Sequence, residues 1–229
     1  MRILAVDTSA KSCSVAVVDE DSLLAELTLV TGQTHSKHIM GMIDTVINMS
    51  GLAISDVDGF ATTVGPGSFT GLRIGISSVK GLAAASGKPV VAVSSLDALA
   101  LQTFDFSSYL VCPLLDARKK EVYSSQYRFI DGILEKESKE KVLSPEKAVC
   151  GISERCIFIG NGAFLYQKLI IDKIGELAHF APSCRNTIQA STVACLSMNR
   201  FKKNDADDID SLVPNYIRKS DAQLNLRVS

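Results

Sequence analysis

Residues 65–75 read Gly65-Pro66-Gly67-Ser68-Phe69-Thr70-Gly71-Leu72-Arg73-Ile74-Gly75, the stretch of this chain best suited to chemistry. An apolar, strand-like run, Gly59 to Val64, leads into it. A helical pattern rich in small residues, Thr70 to Ser86, leads out. A glycine-rich turn at a helix N-terminus offers unpaired backbone N–H groups and the positive end of the helix dipole, and together these hold an anion. Gly65 and Gly67 allow backbone angles that a Cβ resists, Pro66 stiffens the turn, and Ser68 or Thr70 can cap the helix. The Gly-Lys-Ser/Thr ending of a Walker A loop is absent. Two readings follow: an anion or nucleotide loop, or a structural strand-to-helix turn.

Other reactive side chains are sparse. Of three histidines, His35 and His38 stand three residues apart near a helix start, close enough to meet on one face. Two imidazoles do not complete a metal site, and Asp44, six residues beyond His38, falls on the far side of the helix. No metal is expected, and capping or an interface role is. The six cysteines form no Cys-x-x-Cys pair, and Cys13 and Cys112 sit in apolar runs as small core residues. No Ser-His-Asp order and no Gly-x-Ser-x-Gly elbow points to a serine hydrolase. From about Ser36 to Ser50, Ile39, Ile43, Val46 and Ile47 form an apolar stripe at helical spacing, which Met40, Met42 and Met49 widen. Those methionines either fill gaps in a core or make an adaptable docking face. Gly71, Gly75 and Ser78 on the next helix allow close backbone approach.

The elements that must position these residues form an ordered series. Ile3 to Val6, Cys13 to Val18 and Leu23 to Leu29 read as an antiparallel meander, followed by the helix from Ser36. Strand Gly59–Val64, helix Thr70–Ser86, strand Pro89–Val93 and helix Ser95–Phe104 come next. Around residue 105 the pattern restarts: Tyr109 to Leu115, Glu121 to Phe129 and Ile133 to Leu143 as strands, then Arg155 to Ile159. Helices from Phe164 to Ile174 and Ile188 to Phe201 and an acidic stretch, Lys202 to Asp210, complete the series. Each half opens strand, Asp-turn, strand, strand. The expectation is an α/β fold, duplicated, with a ligand cleft between its lobes. The first lobe is placed at 1–105 and the second at 106–229, the last helix and tail being candidates to return to the first. A chain of 229 residues, 46% apolar, can fill one large core or two modest ones. A formal charge of −1 gives no general attraction to nucleic acid. Neither a signal peptide nor a spanning helix is expected, and the thiols fit a reducing, cytoplasmic setting.

Ile3-Leu4-Ala5-Val6-Asp7-Thr8-Ser9 resembles the first phosphate loop of the actin, Hsp70 and sugar-kinase superfamily. Together with Gly65–Gly75, Pro89–Leu99, Asp116-Ala117-Arg118 with Glu121-Val122-Tyr123, and Gly160-Asn161-Gly162-Ala163, the whole chain resembles the bacterial TsaB (YeaZ) family. That resemblance implies a two-lobed RNase H-like fold. It also implies a part in making threonylcarbamoyladenosine at position 37 of tRNAs that read codons beginning with A. In the family TsaB is the non-catalytic partner of its paralogue TsaD, and an ATPase, TsaE, joins them. On this basis Asp7, Thr8, Ser9, Gly65, Pro66, Gly67, Ser68 and Thr70 form a degenerate nucleotide or anion loop. His35, Ile39, Met42, Ile43, Val46, Gly71, Arg73 and Gly75 are assigned to the partner interface, used for TsaD or, in isolation, for a second copy. His35 falls where the family usually has a histidine.

No catalytic residue is assigned. An ATP-using superfamily member needs a glycine-rich phosphate loop in the second lobe too, and Asp116-Ala117-Arg118-Lys119-Lys120 has no glycine. Stable ATP or ADP binding by the isolated chain is therefore not expected. Nucleotide is placed at most at the partner junction, and tRNA is reached through the complex. The alternatives are an ATP-dependent small phosphotransferase and a metal-dependent (glyco)protease-like protein. Gly160–Ala163 reads as a degraded adenosine turn or a plain strand-to-helix turn, and Pro214-Asn215-Tyr216-Ile217-Arg218 matches a family tail of underived role.

Overall fold

The computed structural model describes residues 1–20, 22–30 and 33–218. Its contacts group the chain into two compact units: 1–99 with 187–214, and 100–186 with the described residues 215–218. The division thus falls inside the helix Ser95–Leu101 and not at 105, and residues 187–214 belong to the first unit.

In the first unit, strands β1 (Arg2–Asp7), β2 (Ser12–Asp19) and β3 (Ser22–Val30) form the expected meander. Helix α1 (Ile39–Met49) precedes β4 (Gly59–Gly65). Helix α2 (Phe69–Ser86), strand β5 (Val90–Ser94) and helix α3 (Ser95–Leu101) follow. The sheet order is β3-β2-β1-β4-β5, antiparallel on the meander side and parallel across β1, β4 and β5. Both faces of β1 are covered, which is why Ile3 to Val6 is a continuous apolar run and not an alternating one.

The second unit repeats this order. Strands β6 (Leu110–Asp116), β7 (Val122–Ser124), β8 (Tyr127–Ile130), β9 (Ile133–Lys136) and β10 (Lys141–Leu143) lead to helix α4 (Pro145–Ala148) and β11 (Cys156–Ile159). Helices α5 (Asn161–Leu165) and α6 (Gln167–Ile174) and strand β12 (Ala178–Phe180) complete it; the next element in the chain, α7 (Ala190–Lys202), belongs to the first unit. The order β10-β7-β6-β11-β12, with β6 antiparallel to β7 and parallel to β11, matches β3-β2-β1-β4-β5 strand for strand. This is a duplicated RNase H-like fold, one copy in each unit.

Two predicted strands are broken. Glu121–Phe129 divides at Ser125-Gln126, where Ser125 Oγ donates to Ser138 O and Gln126 N donates to Ser138 Oγ. Ile133–Leu143 divides at the facing point, leaving β8 and β9 as a hairpin. The helix expected from Phe164 is two, α5 starting at Asn161. The one expected from Ser36 is a 3₁₀ turn, His35–Lys37, followed by α1.

The return of α7 to the first unit has local causes. Glu26 on β3 accepts from Ser191 N at 2.9 Å and Ser191 Oγ at 3.1 Å, and Ser14 Oγ accepts from Ala190 N at 3.0 Å, satisfying orphan N–H groups of the first turn. Gly59 leaves room for the Phe201 ring. The acidic stretch is a strap on β5: Asp207 N donates to Val90 O, Ala92 N donates to the Asp207 carboxylate, and Arg200 pairs with Asp205 and Asp207. No helix among the described residues is long and apolar enough to cross a membrane.

Candidate functional site

Asp7 ends β1 and is fully buried with Thr8 and Ser9. Its Oδ1 accepts from Ser9 N at 3.1 Å, Ser9 Oγ at 2.6 Å and Thr63 Oγ1 at 2.7 Å, while Oδ2 has no partner. Burial raises the Asp7 carboxyl above the usual carboxylate range, against the lowering effect of the Ser9 and Thr63 hydrogen bonds. The same burial, with Asp7 nearby, pushes the Cys13 thiol up to about 12, so that thiol is inert.

The glycine-rich segment closes on this turn. A Cβ on Gly67 would overlap the Ser9 carbonyl oxygen, one on Gly71 the Thr8 carbonyl oxygen, and one on Gly75 the Thr8 hydroxyl. Thr8 Oγ1 donates to Gly71 O at 2.7 Å and Ser68 N donates to Ser9 O at 2.6 Å. Ser68 caps α2, its Oγ accepting from Gly71 N at 3.3 Å. Gly65 holds φ +116°, an angle that favours glycine. The loop's glycines therefore admit the chain's own β1–β2 turn, and the Ser68 and Gly71 N–H groups are spent inside it. Thr70 is exposed at the start of α2 and Pro66 is buried. A phosphate brought here would meet the Thr8 and Ser9 carbonyls and the Asp7 carboxylate, so the residues present do not fit a nucleotide's phosphates. Of the two readings, the structural turn is the one this geometry supports.

The corresponding region of the second unit is built otherwise. Asp116 ends β6, half-buried, its N donating to Asn161 Oδ1 at 3.0 Å and its Oδ1 accepting from Arg118 N at 2.8 Å. Arg118, Lys119 and Lys120 are exposed and hold φ of +59°, +51° and +59°. Gly162 packs against β6, where a Cβ would stand 2.9 Å from Leu114 O. Arg218, in the tail of underived role, donates to Ala117 O at 2.8 Å and pairs with Glu121 at 3.2 Å.

Between α1 and α2 lies a groove of about 470 Å³ lined by Ser36, Ile39, Met40, Phe69, Arg73 and Ile74, among others. Most of the residues assigned to the interface are buried within the first unit. Ile39, Met42, Ile43 and Val46 are 0–4% exposed and belong to the first unit's core with Leu4, Val15 and Phe60, so they have almost no area left to bury. Gly71 and Gly75 are buried against Thr8. Arg73 is exposed, its guanidinium 3.9 Å above the Phe69 ring, and His35 is half-buried. The exposed lining of the groove includes Met40 (51%), Phe69 (37%) and Arg73, together with the polar Ser36, Thr70 and Ser77. The apolar stripe is core because it faces β2 and β3, a choice of face that periodicity alone does not make.

A family model described as TsaD: tRNA N6-adenosine threonylcarbamoyltransferase matches residues 29–226. The tRNA threonylcarbamoyladenosine biosynthesis protein TsaB of Bacillus subtilis is 30% identical over 97% of this chain and 96% of its own length. The Escherichia coli protein of the same name is 38% identical over 71% of this chain and 72% of its own. The chain belongs to the TsaB family. The solved structure of YeaZ from Pseudomonas aeruginosa superposes with a TM-score of 0.81 at 30% identity, covering 94% of this chain and 99% of that one.

Within that family frame His35 and His38 have separate partners. His35 Nε2 lies 2.9 Å from Ala10 O, and His38 Nε2 lies 3.0 Å from Gln33 Oε1. Among the described residues no three His, Cys, Asp or Glu side chains are placed to hold a metal ion. His35 therefore pins the 3₁₀ turn ahead of α1 onto the β1–β2 turn, next to Gly71. Residues that sequence reasoning missed are Thr63, Phe69 and Arg218. Thr63 lies on the strand next to Asp7 in space but 56 residues away in sequence. The signal for Arg218 was the match of the 214–218 tail to the family.

Proposed function

We propose that this chain is the non-catalytic subunit of an assembly that adds a threonylcarbamoyl group to adenosine 37 of tRNAs reading codons beginning with A. The relatives' names supply the pathway. Two observations carry the non-catalytic role: the first unit's glycine-rich segment is filled by Thr8 and Ser9, and no glycine relaxes the second unit's turn of Arg118-Lys119-Lys120. A two-sided phosphate clamp is thereby missing both halves, and several charge-assisted hydrogen bonds of about 1.5–3 kcal/mol each are lost to a nucleotide. The partner is a TsaD-type paralogue, docked in the groove of Met40, Phe69 and Arg73. A second copy uses the same groove when the paralogue is absent. A TsaE-type ATPase joins the assembly, nucleotide sits at most at the subunit junction, and the setting is the cytoplasm.

Reconstitution with TsaD-type and TsaE-type proteins tests this reading. The purified chain should show no measurable ATP turnover and at most weak ATP binding by calorimetry, yet modified tRNA should form only when it is present. Met40→Glu should abolish pairing with the paralogue while the variant stays folded, because a charge would enter an apolar contact. Micromolar ATP affinity with steady turnover would favour the phosphotransferase alternative. Stoichiometric metal lost on His35→Ala would favour the peptidase-like one.

A further inference from the structure

The β6–β7 hairpin of the second unit carries three consecutive basic residues in the left-handed region, Arg118, Lys119 and Lys120. Glycine, asparagine or aspartate suits such angles, and a long side chain there is strained. A hairpin selected for its turn alone would use Asn-Gly or Asp-Gly, as this chain does at Asp131-Gly132 between β8 and β9. Here the turn keeps charge at the expense of conformational ease, and backbone strain held by its surroundings is a feature of functional sites.

The surroundings hold it firmly. Ala117 N donates to Glu121 O and Glu121 N to Arg118 O, each at 2.9 Å, and the Asp116 carboxylate takes Arg118 N. Arg218 anchors the Ala117 carbonyl and offsets Glu121. Four cations (118, 119, 120, 218) against two anions (116, 121) leave the hairpin at +2, on a chain whose total is −1. The acids lie at the base, half-buried, and the three successive cations are exposed at the tip.

A second feature stands at the same edge of the sheet. Strands β6 and β11 are parallel neighbours, so the hairpin and the start of α5 emerge at one end, joined by the Asp116–Asn161 hydrogen bond. Helix α5, which starts at that end, exposes Phe164 at 67%. Exposed cations on the hairpin and an exposed aromatic on the adjoining helix fit a nucleic-acid backbone with a base to stack.

We propose that the Arg118–Lys120 hairpin, with Phe164, contacts the sugar–phosphate backbone of the RNA on which the assembly acts. This rests on the tRNA-modification reading above. Phosphate contacts position without reading sequence, which suits a subunit serving several tRNAs that share one modification. Three cations are too few to bind RNA tightly alone, so the contact acts within the assembly.

The test uses the reconstituted assembly and an unmodified tRNA transcript, with affinity followed by anisotropy across a salt series. Replacing all three residues by glycine relieves the strain, so the variant should melt no lower than the parent. Replacing all three by glutamine keeps the side-chain bulk without the charge. Both variants should weaken tRNA binding about a hundredfold near 0.1 M salt and lower the slope of log K against log salt by about two. Phe164→Ala should weaken binding several-fold with the slope unchanged. Unchanged affinity and slope in either folded, assembled triple variant would overturn the proposal. So would loss of subunit assembly in place of RNA binding, which would make the hairpin a protein contact. Modification that proceeds without this chain would instead defeat the functional reading itself.

Discussion

Asp7 and Asp116 each end the first strand of a sheet, and the two sheets share one strand order, yet their surroundings have diverged. Around Asp7 three glycines let the loop and α2 settle onto Thr8 and Ser9, the turn is fully buried, and the carboxyl is raised. Around Asp116 no glycine occupies the hairpin, the carboxylate is half-buried, and three cations stand outward. The same topology thus yields a closed structural joint in one unit and an open charged edge in the other. Side-chain volume at a few turn positions decides which.

A graded set of substitutions puts that contrast at risk. Ile43→Asp places an unpaired charge in the first unit's core and should cost several kcal/mol, on the order of 4, so that circular dichroism shows an unfolded chain. A folded Ile43→Asp variant that only fails to associate would return α1's stripe to the interface. Next in size, Gly71→Ala should cost about 2–3 kcal/mol in denaturant unfolding, because Thr8 cannot retreat from a buried turn. Gly162→Ala in the second unit, with a looser approach to Leu114 O, should cost less. Equal losses at the two glycines would erase the difference between the joints.

Asp7→Asn probes the carboxyl. Its raised folded value means the folded chain keeps a proton that the unfolded chain releases above about pH 4. Stability from this group is therefore greatest below the usual carboxylate range and falls as pH rises toward the folded value, by about 1.4 kcal/mol for every tenfold difference in proton affinity between the two states. The Asp7→Asn variant should flatten that part of the stability–pH curve, and an unaltered curve would contradict it. The smallest effect belongs to Arg218→Ala, about 1 kcal/mol or less, read as faster amide exchange at Ala117–Glu121 with the rest of the chain unmoved.

Much of this molecule was legible from its residues. The meander, β4, α2 and β5 follow from apolar runs and glycine punctuation, and the restart near residue 105 foretold the repeated sheet order. The breaks in the second unit were not legible. Ser125-Gln126 contains no glycine or proline, and the interruption depends on Ser138, 12 to 13 residues away. The left-handed turn at Arg118–Lys120 ran against the preferences of its own residues.

Local patterns in the sequence were enough to dictate the alternation of strands and helices, the position of the glycine-rich turn and the duplication, because hydrophobic period and turn chemistry are local properties of the chain. Packing across the chain set the rest: α1's stripe faces β2 and β3, and Thr8 and Ser9 occupy the glycine-rich loop. Packing also returns residues 187–214 to the first sheet through Glu26, Ser14 and Asp207. Each of those outcomes is set by which group satisfies a buried N–H, carbonyl or apolar face. Those partners come from strands and helices tens of residues away, a choice no local pattern encodes.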